Sequence, residues 1–263
     1  MKTHHEGQYD LLVLGDSRVY RGVSPADMSQ ALPGWRSFNL GYSSAGFGPL
    51  MYEEAARRLD PEGARVLVLG ITPWSLTESA AQNAHLQQEL ARPLSERWQR
   101  RYVNYYLQDL APTRPEALWQ ALRGTTPAPA EYYYQTFDEA GGWMPSRLEP
   151  PQPRKALGPY RAEFRQEQVS PARVEALLDQ VQTWVAEGVS VYAFRPPTSP
   201  DMTALEDELS GLDMSALGRD IEAAGGIWLD IPGEYPSYDG SHLPDSAARR
   251  FSRALGAAIA AQR

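Results

Sequence analysis

The sequence predicts an α/β protein of three layers, α/β/α, built on a five-stranded parallel sheet of flavodoxin-like outline with a large helical and irregular insertion. Three observations predict it. Short runs such as "LLVLG", "RVLVLG" and "VSVYAF" are apolar almost throughout, as strands covered on both faces are. Segments with apolar residues at helical spacing alternate with these runs, the order that right-handed crossovers between parallel strands produce. A chain of 263 residues with 42% hydrophobic content also suffices for one substantial core, and no linker interrupts it.

In order, "YDLLVLG" is the first strand, closed by Gly15. "SPADMSQALPG" is a short helix with Ser24 as N-cap, Pro25 at its first position and Asp27 in the first turn. "SFNLG" is the second strand. "GPLMYEEAARRLD" is a helix followed by Pro61, and "ARVLVLGI" is the third strand. Alternation then stops over an insertion of approximately 73–168, rich in Trp, Tyr, Pro and Arg, where no strand is predicted. Within it "ERWQRRYVNYYLQDL" and "RPEALWQALRG" read as helices. "TTPAPAEYYYQTFDEAGGWMPSRLEPPQPRKALGP" reads as a long irregular segment with turns. Such a stretch is either a lid or substrate wall or a decoration of the sheet edge, and composition favours neither. Ser170 then caps the helix "PARVEALLDQVQTWVAEG", ended by Gly188; "VSVYAFRPP" is the fourth strand. "SPDMTALEDEL" and "MSALGRDIEAAGG" are helical with a break near Gly211, "IWLDIPG" is the fifth strand, and "LPDSAARRFSRALGAAIAAQ" closes a single domain, 1–263.

Composition narrows the chemistry. The net charge is −8 and no basic run occurs, which argues against nucleic acid as a partner. The absence of cysteine removes disulfides, thiolate nucleophiles and zinc–cysteine sites. No stretch approaches the roughly 20 apolar residues of a membrane span. The opening "MKTHHEGQYDLL" contains no apolar h-region, so no secretion signal is expected in it. His4 and His5 stand there unaccompanied and are not read as metal ligands; neither metal nor cofactor is expected.

Ligands of open parallel sheets bind beyond the carboxyl ends of the strands. There the sequence places Gly15-Asp16-Ser17, Asn39-Leu40-Gly41 and Gly70-Ile71-Thr72, and after the last strand the loop "PSYDGSHLPDS". Of the four histidines only His242 falls in a loop at that edge. A serine hydroxyl becomes a nucleophile when an imidazole takes its proton, and a carboxylate fixes the imidazole's tautomer. Ser17, His242 and Asp239 are the residue types this requires. Each also has a plainer reading: Asp16-Ser17 as a polar turn, and Asp239 as an Asx-turn leading into a helix. Their positions join them, because a doubly wound sheet brings both chain ends to one rim. Arg18, Arg21 and Arg195 fall at the same edge, where they either hold an anionic group or lie on the surface. Trp98, Tyr102, Tyr105, Tyr106 and Tyr132 to Tyr134 either stack on sugar rings or pack the insertion. Asp245 reads as a helix-capping residue.

Taken in order, "VLGDSR", "NLGYSSAG", "LGITP" and "DGSH" resemble four blocks of the SGNH (GDSL-type) hydrolases. The resemblance covers about 9–72 and 189–262. It implies Ser17 as nucleophile, His242 and Asp239 as its relay, and the N–H groups of Ser17 and Gly41 as oxyanion donors. Where the family has Gly-x-Asn-Asp this chain has Gly70-Ile71-Thr72-Pro73, so Thr72 stands where a third donor is expected, with a shorter side chain. Loss of one such donor costs about 3 kcal/mol of barrier. Arg18 follows the serine where leucine is common. These departures and the insertion are similar to envelope-associated bacterial branches that O-acetylate exopolysaccharides or transfer D-alanine. The resemblance thus implies an ester hydrolase or O-acyltransferase acting on a small acyl ester of a carbohydrate. It implies a place in the cell envelope if the N-terminus is trimmed, and the cytoplasm otherwise. The alternative is a non-catalytic polysaccharide-binding or assembly protein of the same fold. A nucleotide binder is disfavoured because no glycine-rich phosphate loop follows the first strand.

Overall fold

Strand β1 (Leu11–Gly15) is buried along its whole length, and its alternation decides which residues build which layer. It lies between β2 (Ser37–Asn39) and β3 (Val66–Gly70), parallel to both: Leu12 is in register with Phe38 and with Leu67. Strands β6 (Ser190–Phe194) and β7 (Ile227–Trp228) follow on the far side of β3. In this computed structural model, which describes residues 6–93, Glu96 and 131–263, the resulting sheet is parallel with order β2-β1-β3-β6-β7. The predicted fifth strand is only two residues long, although beyond Trp228 the Leu229 N–H still donates to the Ala193 carbonyl at 2.7 Å.

Leu12, Leu14, Leu67, Leu69, Val191 and Ala193 face one layer, made by α3 (Pro49–Arg58), α7 (Pro171–Ala186) and α9 (Met214–Ala223). Leu11, Val13, Val66, Val68, Tyr192 and Phe194 face the other, made by α1 (Ser17–Gly22), α2 (Pro25–Met28) and α10 (Asp245–Ala261). A buried leucine or valine contributes about 1.5–3 kcal/mol, so a strand apolar at every position is stabilised from both sides. Side chains cap three helices, Ser24 as its sequence predicts, and Ser199 and Asp213 at positions not singled out there. The Ser24 hydroxyl accepts from the Asp27 N–H at 3.3 Å, Ser199 caps α8 (Pro200–Leu209), and Asp213 caps α9 after the break at Gly211.

The insertion differs from expectation. Helices α4 (Glu78–Ala81) and α5 (Ala84–Ala91) open it. A hairpin then pairs β4 (Tyr132–Gln135) with β5 (Ser146–Glu149) where an irregular segment was expected. The apolar alternation that would signal β4 is missing because all four of its residues are exposed. Helix α6 (Leu157–Gln166) follows and packs Leu157 and Phe164 on Met202 and Leu205 of α8. Ser170 does not cap α7 with its side chain; its hydroxyl donates to Glu78 at 2.7 Å, and Pro171 starts the helix. The two helices expected over "ERWQRRYVNYYLQDL" and "RPEALWQALRG", with Trp98, Tyr102, Tyr105 and Tyr106, lie outside the described residues.

Candidate active site

The turn after β1 is made by three residues with separate tasks. Gly15 has φ +153°, and a Cβ there would lie 2.7 Å from the Gly70 carbonyl oxygen, so only glycine lets β1 and β3 end side by side. Asp16 is the N-cap of α1, one carboxylate oxygen accepting the Arg18 N–H at 2.8 Å. Its other oxygen accepts the Thr72 hydroxyl at 2.6 Å, which ties the end of β3 to the start of α1. Ser17 is therefore the first residue of a capped helix, half-buried at the rim.

The Ser17 hydroxyl lies 2.9 Å from His242 Nε2. His242 Nδ1 lies 2.7 Å from Asp239 Oδ2. The second Asp239 oxygen accepts the backbone N–H groups of Ser241 at 2.8 Å and His242 at 2.7 Å. The two geometries coexist in Asp239: one oxygen closes an Asx-type turn while the other meets the imidazole. Gly240 (φ +98°) lets the turn pass Pro153, whose carbonyl oxygen would be 2.6 Å from a Cβ. Ser237 fastens the turn further, donating to the His242 carbonyl at 2.9 Å and accepting the Gly240 N–H at 2.8 Å.

The electrostatics suit a neutral base. Burial drives the His242 pKa down; Asp239 opposes this, and Arg21 and Arg18 add to it, leaving a net lowering. Burial pushes Asp239 up, but hydrogen bonds from His242 and Ser241 outweigh it and hold the carboxylate at about 2. With Asp239 ionised, Nδ1 carries the proton and Nε2 offers its lone pair to Ser17.

Several expected roles give way to structural ones. The Gly41 N–H donates to Asn39 Oδ1 at 2.9 Å and is not offered to a ligand. That glycine is required by packing, since a Cβ would sit 2.8 Å from the Tyr20 nitrogen on α1. Thr72 has a single hydroxyl proton and gives it to Asp16, so it does not supply the third oxyanion donor. Arg18 is 3% exposed, donating through Nε to Ser241 at 3.0 Å and through Nη2 to Glu206 at 2.5 Å. Arg195 meets the second Glu206 oxygen at 3.0 Å and Asp207 at 2.9 Å. Both arginines are paired with carboxylates of the protein, Arg18 within the core and Arg195 partly exposed. The Ser17 N–H, at the first position of α1, has no acceptor among the described residues.

Three neighbours had no signal in the sequence. Glu206 of α8 is fully buried between the two arginines. Tyr160 of α6 accepts from Ser241 at 3.2 Å, one residue from His242. Tyr238 stacks on His242 with ring centres 6.0 Å apart, and its hydroxyl meets Tyr133 and Ser146, each at 3.2 Å. Through these last contacts the hairpin stands against the loop that carries the imidazole. A cleft of about 510 Å³ opens there, lined by Tyr133, Tyr134, Gln135, Arg147 and Asp245 among others. Asp245 is the first residue of α10; its carboxylate accepts the adjacent Ser246 N–H, and Pro244 occupies the cap. Among the described residues no group of three or more His, Asp or Glu is placed to hold a metal ion, and no helix is long and apolar enough to cross a membrane.

No protein-family model matches the chain, and no curated protein sequence matches it. Among solved structures the chain is similar to Est24, a carbohydrate acetylesterase from Sinorhizobium meliloti, at 11% identity and a TM-score of 0.39, over 97% of this chain and 100% of that one.

Proposed function

We propose that this protein is a serine-dependent ester hydrolase or O-acyltransferase of the SGNH type, acting on a small acyl ester. The observation that carries this reading is the continuous Ser17–His242–Asp239 chain, at 2.9 and 2.7 Å, assembled from opposite ends of the polypeptide. The Ser17 oxygen attacks the acyl carbon as His242 Nε2 takes its proton. The imidazolium, steadied by Asp239, returns that proton to the departing alkoxide, and the alcohol leaves an acyl-serine behind. Water or an acceptor hydroxyl then attacks the acyl carbon, giving its proton to His242, which restores it to Ser17. The Ser17 N–H is the oxyanion donor the site retains, so acyl transfer here runs with a reduced set of donors. A carbohydrate as the alcohol is supported by the resemblance in the four sequence blocks and by the hairpin cleft lined by Tyr133 and Tyr134, which reaches His242 through the Tyr133–Tyr238 contact. S17A is expected to abolish turnover of p-nitrophenyl acetate with the fold intact; activity at the parent level in that variant overturns the reading.

The engaged Gly41 N–H and Thr72 hydroxyl favour a second reading, a polysaccharide-binding or assembly protein that keeps the fold without turnover. A fluorophosphonate probe separates the two. Labelling of Ser17 supports the enzyme, and a folded protein that stays unlabelled supports the binding module.

A further inference from the structure

Arg21 follows Ser17 by four residues and so shares its face of α1. One of its terminal nitrogens lies 3.1 Å from His242 Nε2, the atom that also meets the Ser17 hydroxyl. Nδ1 is engaged with Asp239, so Nε2 has one lone pair in the ring plane, and two donors converge on it. The guanidinium lies 5.9 Å from the centre of the Tyr133 ring, where the hairpin borders the site. It differs from Arg18 and Arg195 in one respect: among the described residues no carboxylate pairs with it. Its Nε, like that of Arg195, is buried with no hydrogen-bond partner. A cation in an acidic protein, beside the reacting groups and unneutralised, is a vacancy for an anion.

We infer that Arg21 gates the Ser17–His242 pair and selects esters that carry a carboxylate close to the scissile bond. This rests on the reading of Ser17 as nucleophile. While Arg21 donates to Nε2 it competes for the lone pair that must take the serine proton, and its charge opposes the imidazolium that forms. A substrate carboxylate matches the guanidinium fork, takes up its donors in a bidentate pair and draws it off the imidazole. The base is released by the substrate that carries the anion, and a neutral ester meets a site still held by Arg21. The carboxylate can belong to the acyl group or to the alcohol, since either lies within reach of a group that touches Nε2.

The test compares the parent protein with R21M and R21A on two matched pairs. p-Nitrophenyl acetate against p-nitrophenyl hemisuccinate places the carboxylate on the acyl group. Acetylated xylan against acetylated polygalacturonate places it on the carrier. In the parent, kcat/KM is expected to favour the anionic member of at least one pair by about tenfold or more, and the pair that responds identifies the source. Both variants are expected to bring that ratio close to one while raising kcat/KM for the neutral aryl acetate. Labelling of Ser17 by a neutral fluorophosphonate is expected to accelerate in both variants, with S17A as the blank and thermal melting as the check on folding. An anionic preference absent in the parent, or unchanged in the variants, overturns the gate. Equal labelling in parent and variants overturns the gate and leaves the nucleophile standing. No labelling in any of them overturns both.

Discussion

Ser17, His242 and Asp239 make different demands on their surroundings, and each yields a separate expectation. Removing the proposed nucleophile in S17A is expected to lower kcat by about 10⁴-fold or more, because members of such a unit fail together. D239N keeps the turn but loses the charge that holds the imidazole's tautomer; a fall of about 10⁴-fold is expected where the geometry survives. The His242 pKa is lowered in the folded protein, first by burial. The groups facing it are Asp239 from its own loop, Arg18 and Arg21 from α1, and the uncharged Tyr238 ring. The acid limb of kcat/KM against pH is therefore expected below the ordinary histidine value of about 6.5. R21M, which removes a cation, moves that limb upward. The same shift acts on stability. The unfolded chain takes up its proton near pH 6.5 while the folded imidazole resists, so stability present above about 6.5 is lost as pH falls through the lower folded value. H242Q is expected to flatten that part of a denaturation profile recorded from pH 7 to 5.

At the scale of elements, the turn from β1 into α1 answers what Gly15-Asp16-Ser17 is for. Glycine makes the close approach, aspartate caps the helix, and serine is the residue left free to face the imidazole. A methyl group at Gly15 would meet the Gly70 carbonyl at 2.7 Å and Val19 at 2.4 Å. G15A is expected to cost about 1–3 kcal/mol and to lower activity more than stability alone explains, since the strain falls on the residue pair preceding Ser17. Chemical denaturation set beside kcat/KM checks it, and an unchanged midpoint contradicts it. The covered strand and its closing glycine were legible in sequence because each leaves a local mark; helix α1 and its Asp16 cap, read there only as a polar turn, were not. Nor was the β4–β5 hairpin. Its tyrosines are exposed, its order comes from contacts between Tyr133, Ser146 and Tyr238, and pairs that far apart leave no periodicity. Gly41 and Thr72 were misread for a related reason. Their positions in the strand-end blocks were visible, but the acceptors of their protons, Asn39 and Asp16, are set by folding.

At the scale of the whole molecule, the site depends on holding the first helix and the last loop together, and Arg18 does this from the core. It joins α1 to Ser241 beside His242 and to Glu206 on α8, 188 residues away, a partner no local pattern announces. Burial works against the Arg18 charge, but Glu206 outweighs it and the pKa rises, so the guanidinium stays ionised. A buried pair of this kind is weak evidence of net stabilisation, yet losing one member leaves the other charged and desolvated. E206Q is accordingly expected to destabilise the fold by about 3–5 kcal/mol. The double variant R18M/E206M removes both charges of the pair and is expected to recover part of that loss, although it leaves Arg195 with Asp207 alone. Activity separates stability from positioning. If Arg18 holds the His242 loop in place, the double variant regains part of its denaturation midpoint and still shows a lowered kcat with little change in KM, because the Ser241 contact is gone. If kcat recovers along with stability, Arg18 serves the core alone and the loop is positioned by Asp239 and Ser237 without it.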